Sequence, residues 1–147
     1  MRIKVAWIGK TKDPAIQALT ADYLERLGHY AEVEGLFLPN EAALLKLREK
    51  GGRRTAHSLV LLDSRGKQLS SEALALFLDD HQNHSPNVLV FAVGPADGFS
   101  EAARNAASYL LSFGKMTLAH ELARVVLLEQ LYRACTILKG HPYHLGH

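Results

Sequence analysis

The stretch that decides the fold is Val88-Leu89-Val90-Phe91-Ala92-Val93-Gly94-Pro95-Ala96-Asp97-Gly98, a wholly apolar run followed directly by a turn with two glycines. An apolar run of this length without polar alternation is typical of a strand that is buried on both faces, as in parallel sheets. Ser100 follows the turn and is a good N-cap for a helix. The stretch therefore predicts a strand, a turn and a helix of a parallel α/β sheet.

The same alternation of apolar runs and helical patterns extends through the chain on both sides of this unit. We expect further strands at residues 3–8, 33–38 and 59–62, and a weaker one at 116–118. We expect helices at residues 14–27, 41–49, 71–80, 101–112 and 121–138, the first four of which follow the capping residues Asp13, Asn40, Ser70 and Ser100. The order βαβαβαβαβα predicts an α/β fold with a mostly parallel sheet and helices on both faces. Nothing marks a second domain, so residues 1–147 are expected to form one.

Length and composition exclude several classes of protein. The chain of 147 residues is long enough for one hydrophobic core, and with 48% hydrophobic residues, 22% charged residues and five prolines it does not resemble a disordered or fibrous chain. A single cysteine, Cys135, lies in an apolar helical pattern, where a small buried side chain is expected. No apolar run reaches the length of a signal peptide or a membrane span. We therefore expect a cytoplasmic protein without membrane contact.

The charge pattern leaves contact with nucleic acid open. A formal net charge of +2 is too small to indicate a nucleic-acid-binding protein. Basic residues do cluster around Gly51 and Gly52, where they either contact RNA phosphates or form a solvated surface. These residues are Lys46, Arg48, Lys50, Arg53 and Arg54.

Three loops are the candidate binding site. In open parallel sheets ligands bind beyond the carboxyl ends of the strands. The segments that follow predicted strands or lead into the last helix are residues 62–67, 94–98 and 112–120. Glycines in such loops let a ligand approach the backbone, whose amides and carbonyls can recognise an adenine edge.

Several common sites are absent from the sequence. The first strand is not followed by the glycine pattern of dinucleotide-binding enzymes, and neither a complete phosphate-binding loop nor a Gly-x-Ser-x-Gly motif occurs. The tail carries His141, His144 and His147, a spacing at which zinc binding is conceivable. No cysteine or carboxylate accompanies these histidines on the tail, and an extended peptide does not preorganise the spacing, so we expect no metal.

The last predicted helix carries two further features. Residues 125–128 form a complete apolar turn, so part of this helix is expected to contact another subunit. Glu129 and Arg133 are spaced to form an ion pair along the helix, which is either a structural pair or part of a site.

Five motifs together resemble one known family over essentially the whole chain. They are Leu61-Leu62-Asp63 with Gly66-Lys67, the turn 94–98 followed by Phe99-Ser100, the runs 120–125 and 129–134, and the tail 141–144. These motifs resemble the small SPOUT methyltransferases that methylate N3 of a pseudouridine in 23S ribosomal RNA. The resemblance implies S-adenosylmethionine as cofactor, a homodimer and a C-terminal trefoil knot. The small net charge favours a preformed surface on the assembled ribosome as the substrate.

The resemblance and the chemistry of the reaction together suggest the residues of the site. Our hypothesis is that Tyr143 or His144 on the tail orients the target base and assists removal of its proton. Arg124 and Arg133 would hold RNA phosphate or the partner subunit, and His141 would contact RNA. The cofactor would contact Leu62, Gly94, Pro95, Gly114, Lys115, Met116, Thr117, Leu118 and Ala119.

Two departures from the family pattern and two alternative functions remain. Pro95 stands where the family has a second glycine and so removes one backbone donor, and Leu145 stands where the family has an arginine.

A non-enzymatic RNA-binding or ribosome-binding module would bind RNA without the cofactor. A flavodoxin-like domain would instead bind a flavin or a small nucleotide at the same strand ends.

Overall fold

One parallel sheet organises the molecule. The computed structural model describes residues 1–49 and 57–145. Its five strands run in the order β2-β1-β4-β3-β5, and every neighbouring pair is parallel. The strands are β1 (Arg2–Ile8), β2 (Glu32–Leu38), β3 (His57–Gln68), β4 (Val88–Val93) and β5 (Tyr109–Ser112).

Helices connect the strands in the predicted order. The sequence-based capping predictions are confirmed, because Asp13, Ser70 and Ser100 each accept a hydrogen bond from a first-turn amide, and Asn40 does so for the amide of Ala43. The helices are α1 (Pro14–Leu27), α2 (Glu41–Glu49), α3 (Ser71–His84), α4 (Glu101–Ala106) and α5 (His120–Leu138), and a short 3-10 turn, Pro142–His144, follows α5.

Strand β4 separates two hydrophobic cores. Its alternate residues Leu89, Phe91 and Val93 join a core built with α1, α3 and α5. The residues between them, with Val88 at the start of the strand, join a second core built with α2 and α4. Since successive side chains of a strand point to opposite faces, helices cover both faces of the sheet. The predicted α/β class is therefore confirmed, whereas the threading of the C-terminal segment through a knot stays a prediction.

Two predicted elements were wrong. The last strand is Tyr109–Ser112 rather than 116–118, and α4 ends at Ala106 rather than continuing to residue 112. The alanine-rich start of this region favours a helix, but Leu110 and Leu111 pair with Leu61 and Leu62 of β3. Tertiary pairing of apolar residues thus overrides local helix propensity.

Strand β3 contains an irregularity next to β5. Leu111 pairs with both Leu62 and Lys67, so residues 63–66 leave the regular register. Within this excursion, a Cβ atom on Gly66 would lie 2.5 Å from the backbone carbonyl carbon and oxygen of Leu110. Only glycine leaves room for this close approach of two backbones.

Three remaining sequence predictions concern single features. Cys135 is a free, buried cysteine, as predicted. Within the described residues, no helix is long and apolar enough to cross a membrane. Of the basic cluster, Lys46 and Arg48 are exposed on α2, whereas Lys50, Arg53 and Arg54 lie outside the described residues.

Candidate active site

The three candidate loops meet in one cleft, at the carboxyl ends of β4 and β5 and beside residues 62–64 of β3. The cleft has a volume of about 310 Å³. Of the predicted cofactor residues, all line it except Ala119, which is the N-cap residue of α5. The predicted residues that line the cleft are Leu62, Gly94, Pro95, Gly114, Lys115, Met116, Thr117 and Leu118. The structure thus brings together residues that are up to 56 positions apart, from Leu62 to Leu118.

Pro95 has no backbone N–H, but the turn after β4 is still closed by a hydrogen bond. The amide of Gly98, at φ +84°, donates to the carbonyl of Pro95 at 2.9 Å. A Cβ atom on Gly94 would lie 3.0 Å from the ring of Phe99. The departure at Pro95 therefore keeps the shape of the turn, and Gly94 lets Phe99 pack beneath it.

Helix α2 holds the start of α4 behind this turn. The Glu41 carboxylate accepts hydrogen bonds from the amide of Ser100 at 2.8 Å and from its hydroxyl at 2.5 Å. The same hydroxyl accepts from the amide of Ala103 at 3.1 Å, as an N-cap does. Ser100 is thus hydrogen-bonded both to α2 and to the first turn of α4. These bonds fix the end of the turn that leads into α4.

The loop between β5 and α5 presents backbone to the cleft. Gly114 has φ +117°, and its amide and carbonyl both bond to the hydroxyl of Ser112, at 3.1 and 3.2 Å. Residues 115–118 make no hydrogen bond to another backbone group of the described chain. Their amides and carbonyls are therefore available to a ligand in the cleft.

Asp63 lies in the predicted loop 62–67 and lines the cleft, although it was not among the predicted cofactor residues. Its carboxylate accepts from the amide of Arg65 at 2.8 Å and lies 3.9 Å from the guanidinium of Arg104. Arg104 in turn donates to the carbonyl of Phe99 at 2.6 Å. These contacts connect the β3 excursion with the end of the turn after β4. Its position directly after the predicted strand 59–62 was a signal, but its partner Arg104 could not be read from the sequence.

A second cavity of about 230 Å³ continues from the cleft along α5. It shares Leu111, Ser112 and Phe113 with the cleft and extends to Val126 and Gln130. Apolar side chains and the hydroxyl and amide groups of Ser70, Ser112 and Gln130 line it together, and small-molecule sites also combine apolar walls with a few polar groups.

The tail is bonded to the far end of α5. Arg133 donates from Nε and Nη2 to Oε1 of Glu129, at 3.0 and 2.6 Å, which confirms the predicted ion pair. The Tyr143 hydroxyl donates to the same carboxylate oxygen at 3.0 Å, and the imidazole Nδ1 of His144 lies 2.9 Å from Nη1 of Arg133. Burial, together with hydrogen bonds to Glu129 and Tyr23, raises the pKa of Tyr143 above its usual range.

The tail lies away from the cleft of its own chain. Ala123 lines the cleft, and Arg133 is ten residues further along α5, a separation of about 15 Å at the rise of an α-helix. His141 is exposed and caps the 3-10 turn, where its Nδ1 accepts from the amide of Tyr143 at 3.3 Å.

The predicted RNA contact of Arg124 was wrong, because its side chain is completely buried. It donates to the hydroxyl of Thr11 at 2.7 Å and to the carbonyls of Ile8 and Gly9 at 3.2 and 3.1 Å. Burial lowers the pKa of Arg124. The side chain therefore ties the loop between β1 and α1 to α5, and no surface remains for a phosphate.

No candidate metal centre occurs among residues 1–49 and 57–145, where no group of three or more histidine, cysteine, aspartate or glutamate side chains could hold an ion.

The fold and the cleft at the strand ends of the parallel sheet are those of the SPOUT methyltransferase class. The family described as "Predicted SPOUT methyltransferase" matches residues 1–144, and the chain belongs to this family. It is similar to the ribosomal RNA large subunit methyltransferase H of Koribacter versatilis, with 58% identity over 147 residues and complete coverage of both chains. The protein of the same name from Gloeobacter violaceus is 42% identical over 155 residues, covering 99% of this chain and 100% of the other.

A solved structure supports the fold alone. The SpoU methyltransferase AviRb from Streptomyces viridochromogenes, solved in complex with the cofactor AdoMet, superposes with a TM-score of 0.57 at 13% identity. The match covers 90% of this chain and 57% of that chain.

Proposed function

We propose that this protein is a cytoplasmic enzyme that methylates N3 of a pseudouridine in 23S ribosomal RNA with S-adenosylmethionine, acting on the assembled ribosome as a single domain of residues 1–147. One observation carries the proposal. The three loops form one cleft at the strand ends of a chain that is 58% identical, over its whole length, to a protein named as a ribosomal RNA large subunit methyltransferase. Ligand binding at this edge is general for open parallel sheets.

The residues of the cleft fit a nucleoside cofactor. The cleft volume of about 310 Å³ is at the lower end of the range of small-molecule sites. Leu62 and Leu118 provide apolar surface for an adenine ring, and the amides of 115–118 provide donors that no other backbone group of the described chain uses. Gly94 and Gly114 let the backbone come close to the ligand. When bound, S-adenosylmethionine supplies a methyl group activated by a sulfonium.

The tail supplies the groups for the target base. An imide nitrogen of the uracil type carries a proton at neutral pH and needs a base or a hydrogen-bonding partner to react. Tyr143 donates its hydroxyl hydrogen to Glu129, and its raised pKa keeps it a neutral phenol, so its role is to orient the base. His144 is the better proton acceptor. Arg133 and His141 contact the RNA, and the target nucleotide is unstacked when it enters the site.

A homodimer completes the site in this proposal. The tail lies about 15 Å along α5 from the cleft of its own chain, so a second copy is needed to bring a tail to the cleft. Apolar side chains of α5 that the described chain leaves uncovered support such a contact: Leu122 is 44% exposed, and Val126 is partly exposed beside the second cavity.

Two measurements test the proposed function. Calorimetric titration with S-adenosylmethionine, with and without ribosomes, is expected to show saturable binding. Transfer of a labelled methyl group is then compared on assembled ribosomes, free large subunits and naked 23S RNA, with mapping of the methylated nucleotide. RNA binding without any cofactor binding would support the non-enzymatic module instead, and binding of flavin alone would support the flavodoxin-like domain.

A further inference from the structure

Both ring nitrogens of His144 are engaged. Nδ1 lies 2.9 Å from Nη1 of Arg133, and Nε2 lies 2.6 Å from Oε1 of Glu72. A guanidinium group has only donors, so Nδ1 must accept the hydrogen bond and carries no hydrogen. Nε2 then carries the ring hydrogen and donates it to the carboxylate. The two partners together select one neutral tautomer of His144.

The start of α3, which carries Glu72, is fixed in place, while the Glu72 side chain itself is 61% exposed. Glu72 lies in the first turn of α3, which the hydroxyl of Ser70 caps at the amide of Ala73, at 3.0 Å. The neighbouring Ser71 donates to the side-chain carbonyl of Gln130 on α5 at 2.7 Å, so α3 is fixed relative to the helix that carries Arg133. The hydrogen bond from His144 lowers the pKa of Glu72, which therefore remains a carboxylate.

We propose that Glu72 is a positioning residue for methyl transfer: by accepting the Nε2 hydrogen of His144, it makes Nδ1 the nitrogen that can take a proton. This inference rests on the proposed function. A carboxylate that holds one imidazole nitrogen in its protonated form while the other nitrogen acts as base is a recurrent arrangement in enzymes.

Arg133 controls the use of Nδ1 in this arrangement. While Arg133 donates to Nδ1, the lone pair of that nitrogen is occupied. An RNA phosphate that pairs with Arg133 removes this donor and releases the lone pair. Nδ1 then takes the N3 proton of the base, N3 forms its bond to the methyl carbon, and the carbon–sulfur bond breaks with its electron pair left on sulfur. The resulting imidazolium is paired with Glu72.

Nitrogen NMR of the protein without cofactor or RNA tests the tautomer directly. Because Arg133 also donates to Nδ1 and by itself favours the same tautomer, the spectra at pH 8 would be compared in the Arg133→Met variant, alone and combined with Glu72→Ala or Glu72→Gln, and His144→Gln would identify the His144 signals. In Arg133→Met, one ring nitrogen is expected to be protonated and the other not. Adding Glu72→Ala is expected to bring both signals towards averaged positions, whereas adding Glu72→Gln keeps an acceptor oxygen and retains the pattern. An unchanged His144 spectrum on adding Glu72→Ala would overturn the proposal.

Kinetics test whether the tautomer matters for the reaction. Glu72→Ala is expected to lower kcat by roughly 10- to 100-fold, as loss of a histidine's orienting partner does, with the KM for S-adenosylmethionine unchanged. Glu72→Gln should lie between wild type and Glu72→Ala. Glu101→Ala, which removes the first-turn glutamate of α4, controls for the loss of a helix-terminal charge and should leave kcat unchanged.

The kinetic outcomes separate the two proposals. Equal losses in Glu72→Ala and Glu72→Gln, or an altered spectrum with unchanged kcat, would exclude Glu72 as a positioning residue. Absence of methyl transfer by the wild-type protein on every ribosomal substrate would refute the proposed function, and with it the role of Glu72 in that reaction, while the spectra would still decide whether Glu72 sets the tautomer.

Discussion

Two arginines on α5 show how strongly burial decides what a charged side chain does. Arg124 is fully buried and donates to backbone carbonyls of the loop after β1, whereas Arg133 stands at the tail with Nη1 directed to His144. Both carry the same charge on the same helix. The buried guanidinium of Arg124 is tolerated because carbonyls and a hydroxyl accept hydrogen bonds from Nη1 and Nη2, although its Nε has no partner among the described residues, so its contribution is structural.

Replacement of Arg124 should lower the stability of the fold, and it should not weaken RNA binding in protein that remains folded. In Arg124→Met the carbonyls of Ile8 and Gly9 lose their donor, and the free energy of unfolding is expected to fall by about 2–3 kcal/mol. Urea denaturation measures the free energy of unfolding. The control is Arg48→Met at an exposed position, which is expected to change the free energy of unfolding by less than about 0.5 kcal/mol. A stable Arg124→Met variant with weakened RNA binding would contradict the structural role.

His144 should matter for turnover and not for cofactor affinity. Its side chain lies on the tail, bonded to Arg133 and Glu72, away from the cleft of its own chain. His144→Ala is expected to lower kcat about 100-fold or more, because general acid–base groups contribute this much, and to leave the Kd for S-adenosylmethionine within about 3-fold. The comparison is with His84→Ala on the surface of α3. Unchanged turnover would remove His144 from the mechanism.

At the scale of elements, the cleft depends on the irregular pairing of β3 with β5. Residues 63–66 leave the register, and this excursion places Asp63 in the cleft. The close backbone contact of Gly66 with Leu110 holds the excursion against β5. The end of β5 leads directly to Gly114, so the same pairing also positions the loop 114–119.

Gly66→Ala should therefore destabilise the pairing of β3 with β5. The added Cβ would meet the Leu110 carbonyl at 2.5 Å, and since the contact is with backbone, relief requires movement of a strand. We expect a loss of about 2–3 kcal/mol in the free energy of unfolding, the range of overpacked cores. Chemical denaturation of Gly66→Ala beside Ser64→Ala, an exposed change in the same excursion, provides the measurement. Equal stability of the two variants would mean that the strand adapts without cost.

At the scale of the whole molecule, α5 separates the cleft that is proposed to bind the cofactor from the tail that is proposed to act on the target base. Its N-terminal end borders the cleft, and its C-terminal end holds the tail. The second cavity extends between them, past Val126 and Gln130. If two copies pair with their α5 helices facing, each tail can serve the other chain's cleft.

Mixed dimers distinguish a shared site from a site within one chain. Gly114→Val, which places a side chain at a cleft residue of positive φ, and His144→Ala should each be inactive alone. After the two variants are unfolded and refolded together, a shared site should restore about one quarter of wild-type activity, since half of the dimers are mixed and each contains one intact site. No restoration, with mixed dimers demonstrated by mass spectrometry, would place tail and cleft in the same chain.

The sequence by itself determined those features of the fold that depend only on residues close together along the chain. The unbroken apolar run of β4 showed a strand buried on both faces, and the capping residues before α1, α2, α3 and α4 showed where those helices begin. The three loops could be identified as a site because each follows a strand or precedes a helix in a parallel sheet. Local periodicity and capping chemistry are sufficient for such predictions.

Only the tertiary structure decided the contacts between distant residues. Pairing with β3 made a strand of Tyr109–Ser112 that local propensity favours as helix. Arg124 bonds to Ile8 across 116 positions, and His144 bonds to Glu72 across 72. No local pattern encodes such partners, because each depends on which surfaces the folded chain brings together and on which polar groups burial leaves to be satisfied.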